Sequence, residues 1–268
     1  MKSDKFNLVI TPKINYIFMK IILFYGNKFQ FRSKYFFLFY KIVIMIVNYE
    51  FFYSAGKSEF LFSLVKFRED VFTTKFHRII YCEPHRSTAK SSEFFQRLQA
   101  EFSTIEHCFG LPNITFLNLE FNSLPCLILI DDLMKDLLSS EAMLDLVTKH
   151  VHHNNLTVCF SLQNYYMSSK FGKSFQRNCQ YRVIFFNRID QRELNLMSSQ
   201  IANSPHFFAS NFDFLFKQFP KMYSHYLLID GQFSSPIKDF WCRSFIFPEE
   251  KGKEIKPIIF LKNPEYHA

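Results

Sequence analysis

Three consecutive residues, Gly56, Lys57 and Ser58, precede a stretch with helical apolar spacing and could bind phosphate and a metal ion. In such a turn the backbone N–H groups of the helix start face the phosphates, the lysine reaches the terminal phosphates and the hydroxyl binds magnesium. A phosphate loop of this kind also needs a glycine five residues before Gly56, but this position is occupied by Phe51. It also needs smaller residues than those at 52–55. The tripeptide alone is equally typical of an ordinary turn before a helix.

Two adjacent carboxylates, Asp131 and Asp132, follow an apolar run that predicts a buried central strand. Such a strand can deliver one carboxylate to a magnesium ion and the second to an attacking water. Gln163 ends the next apolar strand, where a carboxamide can hydrogen-bond both a γ-phosphate and the water. Each feature alone also fits a polar strand end, but with the Gly-Lys-Ser turn they predict an ATPase site.

Basic side chains crowd a short interval after Gln163. An arginine supplied across a subunit boundary could neutralise transition-state charge at such a site. Such side chains are more often solvated or bound to a phosphate backbone, so the sequence leaves both roles open. The set is Lys170, Lys173, Arg177, Arg182, Arg188 and Arg192.

The elements that must position these side chains alternate between strands and helices from residue 54 onward, which predicts a parallel sheet flanked by helices. Strands are predicted at 77–82, 114–119, 125–130, 156–162, 181–186 and 226–230. Helices are predicted at 59–67, 90–102, 139–150, 191–201 and 208–219, with Ser140 as the cap of the third.

Residues 1–53 consist mostly of Phe, Tyr, Ile, Lys and Asn, and their apolar run 35–47 has three interpretations. Residues 41–47 could be the first strand of the sheet, the run could be a translated non-coding stretch rich in A and T, or it could span a membrane. Lys41 interrupts the run, which argues against a span. We predict an atypical extension at 1–40, an ATPase domain at 41–250 and a basic tail at 251–268.

Composition narrows the possible partners and compartment. The formal net charge of +8 fits a phosphate-rich partner, although a solvated lysine-rich surface explains it as well. The six cysteines form no CxxC pair and no secretory leader is visible, which predicts an intracellular protein in a reducing compartment. The cluster of His150, His152 and His153 has no cysteine pair at metal-site spacing, which argues against zinc.

The order of these motifs resembles the DNA-packaging ATPases of poxvirus type, within the FtsK–HerA superfamily, and their relatives in Maverick or Polinton transposons and adintovirus-like elements. The segment most specific to them is LILIDDLM at 127–134, followed by LVTK at 146–149 and HHNNLTVCFSLQN at 152–164. The likeness covers residues 54–250. It implies a RecA-like P-loop fold: α/β, with a mostly parallel central sheet flanked by helices, here behind an irregular N-terminal extension.

The resemblance also implies a role for each site residue. The nucleotide-binding set is Gly56, Lys57, Ser58 and Glu59. The catalytic set is Lys57, Asp132 and Gln163, with Asp132 positioning the water and Gln163 sensing the nucleotide. The metal set is Ser58 and Asp131.

For the whole protein, the resemblance implies ATP and Mg²⁺ as cofactors and a homomeric ring that threads double-stranded DNA into a capsid, with capsid proteins as further partners. The nucleus, the cytoplasm or a virus-like particle would be its location. Phe51 and residues 1–53 depart from the family pattern, as a decayed or mis-spliced copy would. A catalytically inactive DNA-binding or assembly module and a membrane-tethered ATPase are therefore the alternatives.

Overall fold

The structure is a computed structural model that describes residues 43–47, 56–84, 89–112, 124–151, 155–163, 170–186, 191–220, 225–231 and 242–260. The predicted extension 1–40 and the predicted strand 114–119 lie outside these ranges. The described residues contain no helix that is both long and apolar enough to cross a membrane.

The described strands form one nine-stranded sheet. They are β1 (Val43–Val47), β2 (Arg78–Glu83), β3 (Glu106–Phe109), β4 (Cys126–Asp131), β5 (Leu156–Leu162), β6 (Tyr181–Phe185), β7 (Tyr226–Asp230), β8 (Cys242–Ser244) and β9 (Ile258–Ile259). Their order across the sheet is β3-β2-β4-β5-β1-β6-β7-β8-β9. From β3 to β6 all neighbours are parallel, and from β6 to β9 they are antiparallel. The predicted α/β class with a mostly parallel sheet is confirmed.

Helices connect the strands and cover both faces of the sheet. They are α1 (Lys57–Lys66), α2 (Arg68–Val71), α3 (Ala89–Glu101), α4 (Met134–Ser139), α5 (Glu141–Asp145) with a π-helical turn (Leu146–His150), α6 (Lys170–Asn178), α7 (Gln191–Ala202) and α8 (Phe207–Gln218). The predicted single helix at 139–150 is wrong in detail, because α4 ends at Ser139 and a π-helical turn replaces its second half. Thr148 donates its hydroxyl to the Leu144 carbonyl at 2.8 Å, a competitor for regular helical bonding. The predicted cap is confirmed, since Ser140 accepts from the Met143 N–H.

Side chains of the central strands alternate between two buried clusters. On β4, Leu127 and Leu129 pack in the cluster that contains Leu61 and Leu64 of α1, whereas Ile128 packs in the cluster of α7 and α8. A strand buried on both faces explains the uninterrupted apolar run in the sequence. The same alternation directs Asp131, two residues after Leu129, toward the face covered by α1.

The sheet continues past residue 250. Ile258 and Ile259 of β9 pair with β8, and Ile255 and Phe260 are buried. Part of the segment predicted as a basic tail therefore packs on the domain, while the exact domain boundaries stay a prediction.

Candidate functional site

The first part of the site is the start of α1. Gly56 precedes the helix with φ +89°, in the left-handed region that glycine adopts without steric cost. Lys57 and Ser58 are the first two helical residues, and both are partly exposed. The first N–H groups of a helix have no partner within it, and no described side chain caps this one. The helix start thus offers N–H donors and partial positive charge to an anion.

Glu59, in the first turn of α1, has a partner on α3. Arg97 Nη2 donates to both Glu59 carboxylate oxygens, at 3.1 and 3.0 Å, and the Arg97 guanidinium lies 4.3 Å from the Phe62 ring centroid. These contacts tie α1 to α3 at the surface. The nucleotide-binding role of Glu59 stays a prediction.

Asp131 is a carboxylate that interacts electrostatically with Lys57 at the start of α1. It ends β4, opposite Ser161 of β5, and its Oδ2 accepts a 3.3 Å hydrogen bond from the Tyr81 hydroxyl. Burial raises the pKa of Asp131, and the Asp132 carboxylate adds to that rise, whereas the Ser161 hydroxyl, the Lys57 ammonium and the Tyr81 hydroxyl oppose it. A nearby cation stabilises the ionised form of a carboxyl group whose pKa is raised by burial in this way.

Asp132 turns away from the strand in an unusual conformation. Its φ is +55°, which few residues other than Gly, Asn and Asp adopt, and such backbone strain concentrates at functional sites. The Gln163 Nε2 donates to Asp132 Oδ1 at 2.7 Å, and both side chains are exposed. The structure therefore places the predicted water-positioning carboxylate beside the predicted sensor amide.

The donor chemistry of this edge fits ATP and magnesium. Mg²⁺ prefers hard oxygen ligands and is commonly held by one or two protein groups together with substrate phosphates. The Ser58 hydroxyl and the Asp131 carboxylate are groups of that kind, and Lys57 with the start of α1 supplies the positive charge that phosphates require. The roles of the individual residues remain predictions.

Sequence reasoning missed a buried polar group beside Asp131. Tyr81 and Glu83 lie on β2, the neighbour of β4, and the His107 Nε2 on β3 lies 2.7 Å from Glu83 Oε1. Both β2 residues are buried. Their types are visible in the sequence, but their position beside Asp131 depends on the strand order, which no local pattern reveals.

The basic residues after Gln163 separate into two groups. Arg182 is held in place, because its Nη2 donates to the Gln176 carbonyl at 2.7 Å and its Nη1 lies close to Gly231. The side chains of Lys173, Arg177 and Arg192 are exposed and can reach a partner. Arg188 and the Lys170 side chain lie outside the described residues.

Within the described part of the chain, no three His, Cys, Asp or Glu side chains come together as a metal site. His152 and His153, considered above for zinc, lie outside that part. The candidate magnesium site depends on two protein ligands rather than three.

The raised pKa of Asp131 predicts a pH-dependent gain in stability for Asp131→Asn. The pKa of Asp131 is higher in the folded state than in the unfolded state. The contribution of this carboxyl to the stability of the wild-type fold is therefore complete below the unfolded pKa, about pH 4, and is lost as pH rises through the folded pKa. We expect the variant to melt a few degrees higher than wild type at pH 8 and equally at pH 4, by thermal denaturation in EDTA. Asp213→Asn, an exposed control on α8, should change Tm little at pH 8. An equal or lower Tm of Asp131→Asn at pH 8 would contradict the prediction.

Comparisons with known proteins identify distant structural similarity. No family model matches the chain, and no curated protein does. The chain has an α/β fold with a mostly parallel sheet flanked by helices. Similar solved structures include B204, the DNA-packaging ATPase from Sulfolobus Turreted Icosahedral Virus, with 13% identity, a TM-score of 0.43 and coverage of 71% of this chain and 93% of that one. Another is the ATP synthase subunit NeqB from Nanoarcheaum equitans, with 10% identity, a TM-score of 0.39 and coverage of 59% and 48%. Both the identities and the TM-scores are low, and neither structure assigns a function to this chain.

Proposed function

We propose that this chain is an ATPase subunit that uses ATP hydrolysis to move double-stranded DNA, of the packaging type found in DNA viruses and virus-like transposons. One observation carries the proposal. Lys57 at the start of α1, Asp131 at the end of β4 and the Asp132–Gln163 hydrogen bond of 2.7 Å meet at the carboxyl edge of the sheet. In parallel α/β sheets this edge is the usual place for ligands.

Each residue has one task in the proposed reaction. Lys57 and the N–H groups at the start of α1 hold the β- and γ-phosphates, and Ser58 and Asp131 hold magnesium, which when bound neutralises phosphate charge. Asp132 orients a water toward the γ-phosphorus and accepts its proton. The water oxygen bonds to that phosphorus while the bond from the phosphorus to the β-phosphate oxygen breaks, and ADP leaves with that oxygen. Gln163 donates to Asp132 in the present arrangement and turns toward the γ-phosphate when nucleotide is bound.

DNA is the partner that the charge of the chain favours. A net charge of +8 and the exposed side chains of Lys173, Arg177 and Arg192 support binding to a phosphate backbone through counterion release. The resemblance of residues 54–250 to packaging ATPases supports assembly into a homomeric ring and contact with capsid proteins. One of the exposed arginines would then act on the ATP of the neighbouring subunit.

An inactive DNA-binding or assembly module is the second candidate. It is favoured by one feature, the bulky Phe51, Phe52 and Tyr53 in place of the glycine-rich part of the phosphate loop. Such a module would keep the basic surface without using the carboxylates.

Binding of a fluorescent ATP analogue in the presence of Mg²⁺ separates the two candidates. We compare the full chain with a restored-loop chain that carries Phe51→Gly, Phe52→Ser and Tyr53→Ala, and expect micromolar binding at least in the restored-loop chain, because glycine lets the backbone wrap the phosphates. Binding by the restored-loop chain alone means that the rest of the domain is that of an ATPase and that the phosphate loop of the full chain is defective. Binding by neither chain rules out the ATPase proposal and leaves the DNA-binding module, which a salt-dependent gel shift on double-stranded DNA would test.

A further inference from the structure

We infer that Tyr81 is a positioning residue for Asp131, fixing the direction in which this carboxylate presents its metal-binding oxygen. The inference rests on the proposed function and extends it to a strand that the sequence motifs do not include. Tyr81 lies on β2, which pairs with β4 in parallel, so that Tyr81 is opposite Leu129 and on the same face as Asp131.

The hydroxyl of Tyr81 is the donor in this contact. It lies 3.3 Å from Asp131 Oδ2, and an ionised carboxylate can only accept. Tyr81 is 2% exposed, and burial together with the charges of Asp131 and Glu83 raises the pKa of its hydroxyl. The hydroxyl therefore keeps its proton throughout the physiological pH range and remains a donor.

Aromatic neighbours hold the Tyr81 ring on several sides. The ring centroids of Phe94, Phe95 and His107 lie 5.5, 6.3 and 5.9 Å away, and the Phe95 and His107 rings are stacked on it. His107 is itself fixed by the 2.7 Å contact with the buried carboxylate of Glu83. A ring packed in this way cannot swing freely, so its hydroxyl is already placed before any ligand arrives.

The hydrogen bond from Tyr81 constrains the orientation of the Asp131 carboxylate, whose charged form is disfavoured by burial. Holding Oδ2 limits rotation of the Asp131 carboxylate and so aims its other oxygen. Partners that orient metal ligands in this way commonly change metal affinity or activity by about 10- to 100-fold when removed. Tyr81 should accordingly affect the magnesium requirement of the site more than its capacity for nucleotide.

The test is the Mg²⁺ dependence of fluorescent ATP-analogue binding in Tyr81→Phe, in the full chain and in the restored-loop chain. We expect the half-saturating Mg²⁺ concentration to rise about 10-fold, while binding at saturating Mg²⁺ and binding in EDTA stay within about 2-fold of the parent. Tyr226→Phe is the matched control, because Tyr226 is also buried and its hydroxyl accepts the Ile246 N–H at 2.8 Å, away from Asp131. The control should shift half-saturation by less than about 2-fold. Mn²⁺ affinity by electron paramagnetic resonance with ATP present gives a second measure.

Each outcome has one meaning. Equal shifts in Tyr81→Phe and Tyr226→Phe would overturn the inference, as would a loss of analogue binding in EDTA, which would indicate general damage to the fold. If neither parent chain binds the analogue at any Mg²⁺ concentration, the proposed function itself fails and the inference falls with it. A selective Mg²⁺ shift in Tyr81→Phe supports both.

Discussion

Lys57→Ala weakens binding of the ATP analogue by roughly 30-fold to several thousand-fold, in whichever form of the chain binds it. The estimate corresponds to about 2–5 kcal/mol, the usual cost of removing one member of a desolvated charge pair. Lys57 opens α1 and lies near enough to Asp131 to oppose the rise in the pKa of that carboxyl. We therefore propose that its ammonium meets phosphate oxygens beside the candidate metal site.

A second lysine of the same helix provides the control. Lys66 lies in the last turn of α1, with its Nζ 5.1 Å from the Phe67 ring centroid, and Lys66→Ala should leave analogue affinity within about 2-fold of the parent. Equal losses in Lys57→Ala and Lys66→Ala would mean that the lysines matter only for overall charge. Undiminished binding by Lys57→Ala would place the nucleotide elsewhere.

Asp132→Asn lowers kcat for ATP hydrolysis by about 100-fold or more while the affinity for ATP changes little. Loss of a positioned base costs roughly 10²- to 10⁴-fold in typical enzymes, and asparagine keeps the size of the side chain and tolerates the φ of +55°. The measurement is steady-state phosphate release, paired with analogue binding. Asp136→Asn, an exposed substitution on α4, should retain the parental rate.

Gln163→Ala tests whether the amide and the carboxylate act as a unit. The 2.7 Å hydrogen bond between them predicts that the double variant with Asp132→Asn is barely slower than Asp132→Asn alone. Independent, multiplying losses would show that Gln163 contributes without Asp132. A normal rate in Asp132→Asn would assign the proton to another group.

The parts of this fold that the sequence predicts well are those set by local composition. The predicted bounds of β5 agree residue for residue with the structure, and β4 differs by one residue at each end, because both strands are largely apolar and buried on two faces. The turn at Gly56 and the cap at Ser140 depend on single residue types and were equally visible. The helix at 139–150 was predicted less well, because the Thr148 hydroxyl competes for a backbone carbonyl and the hydrogen-bonding pattern changes there.

The parts that the sequence does not predict are those set by which strands become neighbours. Tyr81 lies beside Asp131 only because β2 pairs with β4, and the Glu83–His107 contact exists only because β3 pairs with β2. Fifty residues separate the Tyr81 hydroxyl from its acceptor along the chain, so no periodicity connects them. The Glu59–Arg97 contact is hidden for the same reason, since it needs α1 and α3 to lie side by side.

The first strand that the structure describes, β1, lies in the middle of the sheet, between β5 and β6. Strands β2, β3 and β4 are closer together in the sequence and can pair earlier, whereas β1 must wait for partners that are synthesised much later, and closing such long loops slows folding. During translation, β1, which precedes the turn at Gly56, therefore cannot have both of its neighbours until residue 185 has left the ribosome. A nascent chain stalled before residue 185 should therefore be sensitive to protease around residue 56. An unrelated sequence ahead of β1 would interfere with folding at this late step.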